Sequence, residues 1–528
     1  MKSLMKKVFA AAAAIATVFG LAATTVATAN AADNATLTVS TTDAKFAGKT
    51  VNAYKMFSAT VSGDGKAVSY TLTDEWKPFF KNSVGLTGVT DENVNDKAND
   101  YVSKLKDSTL VAFATKASNW AQTKANNITA DATATVSADA SNGKYTATFT
   151  GLGYGYYVVA VPGATLANAK SQYATLVSVH STKVDADIKG DLPTVDKKVQ
   201  VDGTGKDATD AKIGDTLTFT LTSTIPDMSA YDTYTFNFKD TLSKGLTFGQ
   251  VKSVKVENVT LTENTDYTVT TPTASNNNTL TVAMKDFKTK QQANAGKKIT
   301  VTYTATLNEN AVVGGAGNVN SATIQYSNNP STNGTGESEP SKVRVFTYGF
   351  TVDKYTGDQY TDAATRLAGA EFTLAHKDGS AISFVQVSAG SATANAVYRV
   401  AKAGETGTTT ITTPANGKVV FEGLKNGEYT LTETKAPAGY NKLASAIGVK
   451  VNGQNNGTDT TNATVTITYN NDNGNDYNQT ASNGVIPVQN KSGAILPGTG
   501  GMGTIAFTVI GVLVIALGVA WTLKRKNA

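Results

Sequence analysis

The sequence has no cysteine in 528 residues. Disulfide staples, thiolate metal ligands and a cysteine nucleophile are all excluded, so the domains need sizeable cores or a crosslink of another kind. Histidine is nearly absent: His180 and His376 stand far apart without metal-ligand spacing, leaving almost no material for a Ser-His-Asp site or a metal centre. Phosphate-cradling loops, paired carboxylates of a hydrolase and low-complexity repeats are also missing. No cofactor is expected. The formal net charge is +5, but Lys2, Lys6 and Lys7 at one end and Lys524, Arg525 and Lys526 at the other supply six cations, leaving about −1 for residues 32–499. Net charge therefore lends nucleic-acid binding no support.

Both ends carry addresses. Lys2, Lys6 and Lys7 precede an apolar stretch from Val8 to Ala23, and Ala29-Asn30-Ala31 offers a small-residue cleavage site. Residues 1–31 read as a secretory signal peptide, outside fold reasoning. Near the other end, Leu496-Pro497-Gly498-Thr499-Gly500 stands before an apolar run, Ile505 to Leu523. As a helix rising about 1.5 Å per residue, that run reaches roughly 28 Å, close to the hydrocarbon thickness of a bilayer. The basic cluster after it holds that end in the cytoplasm, so the body of the chain lies outside the cell. Pentapeptide, transmembrane span and basic tail in this order resemble the cell-wall sorting signal of Gram-positive surface proteins, of pattern Leu-Pro-any-Thr-Gly. The resemblance implies that a sortase cuts between Thr499 and Gly500 and passes the Thr499 carbonyl to an amine.

Roughly 470 residues remain between signal peptide and span, enough for about three domains. They are rich in Thr, Val and Tyr, in short runs of period two punctuated by Gly, Asn and Asp, which predicts an all-β-dominated chain of three tandem immunoglobulin-like β-sandwich domains. Predicted strands include Thr36–Ser40, Val51–Phe57, Tyr156–Val161 and Thr216–Ser223. Helical spacing appears mainly in the first domain, at Ala98, Tyr101, Val102 and Leu105 and at Leu110, Phe113, Ala114 and Ala117. The expected boundaries are 32–190, 191–345 (Leu192-Pro193 marking the junction) and 346–491, with 492–528 holding the sorting signal, membrane helix and basic tail. Ser327–Pro340 reads as a polar loop.

The chemistry lies in charged and amide residues that alternation places on apolar strand faces. Lys197 shares parity with Val195, Val199 and Val201; Asp240 with Tyr234, Phe236 and Phe238; Asn320 with Ala322, Ile324 and Tyr326. Further on, Lys354 aligns with Tyr348, Phe350 and Val352, Glu433 with Tyr429 and Leu431, and Asn490 with Ile486 and Val488. Such groups either form buried ion pairs with a hydrogen-bonded Asn nearby, or react. A desolvated lysine becomes a neutral amine and a nucleophile, and a desolvated carboxylic acid stays protonated and can donate to an amide oxygen. Attack of the amine on the Asn carbonyl, with loss of ammonia, gives an intramolecular isopeptide bond.

The stretch Tyr429-Thr-Leu-Thr-Glu-Thr-Lys-Ala-Pro-Ala-Gly-Tyr440 resembles the E-box of collagen-adhesin B-type domains in Gram-positive pilins, with Leu367-Ala-Gly-Ala-Glu-Phe372 as their usual second strand. That match implies a Lys354–Asn490 bond with Glu433 as the catalytic acid. The middle domain resembles the backbone-pilin domain that joins a Val-Asp-Lys strand to an Asn strand, implying a Lys197–Asn320 bond assisted by Asp240. The first domain is similar in outline to the N-terminal pilin domain, without a comparable triad. The chain is thus expected to be the backbone subunit of a sortase-assembled pilus or fimbrium, a sortase substrate and not an enzyme on an external substrate. Its expected partners are sortase, identical pilin subunits, accessory pilins and peptidoglycan, at the cell wall and with adhesion as a consequence. A wall-anchored monomeric adhesin built from the same modules is the competing reading. Backbone pilins usually carry Tyr-Pro-Lys near the end of the first domain, and this sequence does not. The acceptor lysine is therefore read from position: Lys189, ending a strand in which Val184, Ala186 and Ile188 face inward, with Lys183 and Lys198 as alternatives.

Overall fold

A computed structural model describes residues 34–63, 67–164, 174–188, 190–330, 333–454, 457, 463–470, 476–493 and 502–526. The signal peptide, Leu496–Gly500 and Lys189 lie outside the described residues. Strand outweighs helix, 46% against 16%, so the all-β-dominated expectation holds. Contacts divide the chain into two compact units: one of Met1–Tyr348 with Gly423–Asn426 and Gly453–Val465, and one of Gly349–Glu422, Gly427–Asn452 and Thr466–Ala528.

In the first unit, the N-terminal segment supplies β1 (Ala35–Thr41), β2 (Thr50–Val61), helices α1 (Val94–Ser103) and α2 (Asp107–Gln122), β3 (Tyr145–Leu152), β4 (Gly155–Ala160), β5 (Ala174–Val179) and β6 (Lys183–Asp187). β1 lies between β3 and a parallel β6, while β2 pairs β4, which pairs β5, in a second sheet. The helices exist because Val94, Ala98 and Val102, and Phe113, Ala117 and Ala121, recur at helical spacing and bury against Tyr54, Met56, Tyr156 and Val158. Along β6, Lys183, Asp185 and Asp187 are exposed while Val184 and Ala186 pack against the core.

The following segment of this unit forms a six-stranded and a seven-stranded sheet. One contains β7 (Asp196–Val201), β8 (Thr216–Thr224) and, after β9 (Phe236–Leu242) in the other, β10 (Lys298–Leu307). The other joins β9 to β11 (Asn318–Ser327) and β12 (Ser341–Phe346). Burial alternates along β9 and along β11 as far as Tyr326, the mark of strands with one face in a core. The polar stretch read as a loop holds a short strand, Thr335–Glu337, paired with β11. An ion pair from Lys239 to Glu337 at 2.6 Å supports it.

The second unit contains β13 (Tyr348–Tyr355) from its second residue on, β14 (Glu371–His376), β15 (Gly427–Lys435) and β16 (Val485–Gln489). β13 and β16 are parallel neighbours in one sheet, and β14 and β15 pair antiparallel in the other. The expected strand at Leu367–Phe372 starts only at Glu371. Gly369 turns the backbone at φ +78° just before it, a left-handed conformation outside the extended region. Helix α3 (Met502–Lys526) includes the apolar run, and Val509, Ile510, Val512, Leu513 and Val514 are exposed. Among the described residues no helix is long and apolar enough to cross a membrane.

Candidate crosslinking sites

On β7, Asp196 is exposed, Lys197 buried and Val199 buried, so the two-residue period drives a lysine into an apolar interior. β9 and β11, neighbours in the other sheet with Asp240 opposite Ala322 and Leu242 opposite Asn320, bring a carboxyl and an amide to it. Lys197, Asp240 and Asn320 are all 0% exposed. The Lys197 ammonium donates to Asp240 Oδ2 in a fully buried ion pair.

A fourth group completes the cluster. Tyr303 of β10 accepts from Lys197 Nζ at 2.9 Å and from Asn320 Nδ2 at 2.6 Å, and its hydroxyl donates to Asp240 Oδ2 at 2.6 Å. Its ring stacks on Phe219, and both rings lie beside the ammonium, 5.2 and 5.3 Å away. Two acceptors stay unmatched: Asp240 Oδ1 and Asn320 Oδ1 are buried with no hydrogen-bond partner among the described residues. Burial pulls the Lys197 ammonium from its usual 10.5 down to about 8, against the Asp240 charge and hydrogen bond, which raise it. Burial and then the Asp240 charge push the Tyr303 hydroxyl well above its usual 10, so it holds its proton.

The second unit repeats the chemistry with a longer acid. Lys354 on β13, Glu433 on β15 and Asn490 just past β16 are buried, and Lys354 lies in register with Val488 on the parallel strand. Lys354 Nζ stands 3.1 Å from Glu433 Oε1 and donates to the Val488 carbonyl at 3.3 Å. Glu433 Oε2 accepts from Asn490 Nδ2 at 3.0 Å and from the Leu443 N–H at 2.7 Å. Asn490 also donates to the Asn441 carbonyl at 2.9 Å, while its own Oδ1 has no hydrogen-bond partner among the described residues. Burial brings Lys354 down to about 8, with Glu433 pulling the other way.

All six residues taken from strand parity are therefore buried in two clusters of lysine, carboxylate and amide. Sequence reasoning missed Tyr303, although Ile299, Val301, Tyr303, Ala305 and Leu307 alternate with threonines and mark its face. It also missed Asp353, which parity turns away from Lys354 yet which is buried against Arg366, 2.5 Å away, with Lys418 at 3.7 Å. Of the acceptor lysines, Lys189 lies outside the described residues, and Lys183 is exposed. Lys198 is held by Asp207 at 2.6 Å and Asp196 at 3.3 Å; its hydrogen bond to Asp207 leads the causes that raise its pKa. Among the described residues no group of acidic or histidine side chains could hold a metal ion.

Residues 213–330 match the profile of the Gram-positive pilin backbone subunit 2, Cna-B-like domain, and residues 358–466 that of the SpaA prealbumin-like fold domain. A trypsin-resistant surface T6 protein of Streptococcus pyogenes serotype M6 is 26% identical over 279 residues, 48% of this chain and 44% of that protein. The chain thus spans less than half the length of this curated relative. Among solved structures, the T6 backbone pilin of S. pyogenes matches with 18% identity over 87% of this chain and 99% of its own, at a TM-score of 0.46. The major pilin SpaA of Corynebacterium diphtheriae matches with 15% identity over 87% and 100%, at 0.45. The chain is thus similar over residues 213–330 to a Gram-positive pilin backbone domain of Cna-B-like kind, and over residues 358–466 to a prealbumin-like fold domain.

Proposed function

We propose that this chain is the structural backbone subunit of a covalently polymerised, cell-wall-anchored pilus, and that it crosslinks itself twice. In this reading residues 1–31 direct secretion. The domains are 32–190, 191–345 and 346–491. The apolar run Ile505–Leu523, read as a span from its sequence, and the basic tail hold the precursor in the membrane while sortase cleaves after Thr499. The Thr499 carbonyl then passes to a lysine of the next subunit, with accessory pilins and peptidoglycan as the further partners. The chain acts on itself and on no external substrate.

The observation that carries the reading is the pair of buried lysine–carboxylate–asparagine clusters. A buried ion pair alone is weak as a stabiliser, because desolvation offsets its attraction. The same desolvation makes the clusters reactive. Each lysine gives a proton to its carboxylate and becomes a neutral amine, a transfer favoured by the fall of both lysines to about 8. The acid so formed can donate to the Asn Oδ1, the acceptor left unmatched in both clusters. Polarised, the amide carbon takes the amine, ammonia leaves, and Lys197–Asn320 and Lys354–Asn490 are joined.

Intact mass spectrometry of the purified chain tests this. Each bond removes one ammonia, so the chain should weigh about 34 Da less than its processed sequence, about 17 Da per bond. Digestion should give branched peptides joining Lys197 to Asn320 and Lys354 to Asn490. An unshifted mass would refute both bonds, and a single loss would leave one.

A further inference from the structure

We infer that Tyr303 is a catalytic residue of the Lys197–Asn320 reaction, a proton relay between the attacking and the leaving nitrogen; the inference rests on the self-crosslinking read above. The two clusters differ in the reach of their acids. Glu433 touches both partners itself, Lys354 through Oε1 and Asn490 through Oε2. Asp240 is one methylene shorter, and its hydrogen bonds run to Lys197 and Tyr303. The Tyr303 hydroxyl fills that gap. It has one proton to give and two lone pairs, and all three are engaged: it donates to Asp240 and accepts from both Lys197 Nζ and Asn320 Nδ2. The two nitrogens that exchange places on the amide carbon thus share one oxygen.

The protons balance. The Lys197 ammonium begins with three. One goes to Asp240, leaving a neutral amine and a carboxylic acid. The amine forms the Nζ–Cγ bond to Asn320. Nζ then yields its second proton to the Tyr303 oxygen as the Tyr303 O–H passes its own proton to Asn320 Nδ2. The Cγ–Nδ2 bond breaks, ammonia departs, the third proton stays on the new amide and Tyr303 is restored. A hydroxyl held well above its usual 10 suits this work, because it never rests as the anion and returns to its protonated form after each exchange.

The test follows the crosslink in chains kept unfolded and uncrosslinked in urea and refolded by dilution. Tyr303→Phe keeps the ring that stacks on Phe219 and removes only the hydroxyl. The Lys197–Asn320 branched peptide should then form about 100-fold more slowly or not at all, the usual contribution of a positioned acid–base group. Lys354–Asn490 should form at the wild-type rate and serve as the internal control. An equal rate at Lys197–Asn320 in Tyr303→Phe overturns the relay while leaving the crosslink itself standing. Absence of that peptide from the wild type overturns the underlying reading instead. Should Tyr303→Phe fail to fold, a fluorinated tyrosine placed at 303, nearly isosteric and more acidic, gives the decision. A relay moves the pH profile of the crosslinking rate, and a merely packed ring leaves it unchanged.

Discussion

Lys354 occupies a position where burial and charge oppose each other, and that opposition has a measurable sign. Its ammonium is buried between an acid, Glu433, and the Val488 carbonyl, with the Phe372 ring 5.8 Å away. Desolvation outweighs these partners and brings it down to about 8, while the unfolded chain holds a lysine near 10.5. Between those values the unfolded state binds more protons than the folded one, so stability must rise with pH across that window. Below about 8 the full cost of the buried cation remains. In wild type the proposed Lys354–Asn490 bond would mask this effect. Asn490→Ala removes the amide acceptor and keeps the lysine, so urea unfolding of that variant, followed by proteolysis within the second unit, should show stability increasing from pH 8 to 10. Asn490→Ala/Lys354→Met supplies the baseline. A flat or falling difference between the two would mean that the lysine is not held in a depressed state, and would remove the source of its nucleophilicity.

At the scale of elements, β13 opens the second unit and β16 closes it, and the two are parallel neighbours, Lys354 opposite Val488. Tension applied at the two ends of such a pair shears its hydrogen bonds. A Lys354–Asn490 bond carries that load directly and shields the chain between them. That chain, roughly 135 residues, would extend by on the order of 450 Å at 3.3–3.6 Å per residue. Single-molecule pulling should show no such step in wild type and a step of about this size in Lys354→Ala; a wild-type chain that extends equally would rule out the bond as a load path. The crosslink also restricts the unfolded state, by about 5 kcal/mol for a loop of this length if it follows the disulfide rule. The two reactive faces were legible because apolar residues recur every second position in β7, β9, β11, β13 and β15, and a Lys or Glu in a row of Val, Phe and Tyr breaks the apolar pattern. Tyr303 was not, since a tyrosine between Val301 and Ala305 looks like any core aromatic until its hydroxyl has neighbours. Asp353 escaped because parity assigns a face and cannot foresee that Arg366 and Lys418 cover it. The strand Thr335–Glu337 escaped because three residues are too few to show a period.

For the whole molecule, the proposed polymerisation sets a demand that the proposed internal crosslinking does not: an amine of one subunit must stay reactive toward the Thr499 acyl group of another. Lys197 and Lys354 are unsuited, both being fully buried. Lys198 is also poorly placed, because Asp207 and Asp196 hold its ammonium and raise its pKa, which keeps the nucleophilic form scarce. Lys183 is exposed but begins β6, in parallel register with Thr36 of β1, at the far end of the strand from the junction. Lys189 follows Ile188, whose N–H still bonds to the Ser40 carbonyl, and precedes Gly190, which turns at φ +109°. Its neighbours in sequence are thus an anchored strand end on one side and a turning glycine followed by Leu192-Pro193 on the other, and on that ground we keep Lys189 as the proposed acceptor. We expect tandem mass spectrometry of digested polymer to yield a branched peptide joining Thr499 to Lys189, and Lys189→Ala to reduce high-mass ladders on denaturing gels to monomer. Ladders that persist in that variant, or a branch at Lys183 or Lys198, would sink the assignment. Monomer alone from wild-type cell walls would remove the polymer and leave a wall-anchored adhesin whose two internal bonds still form.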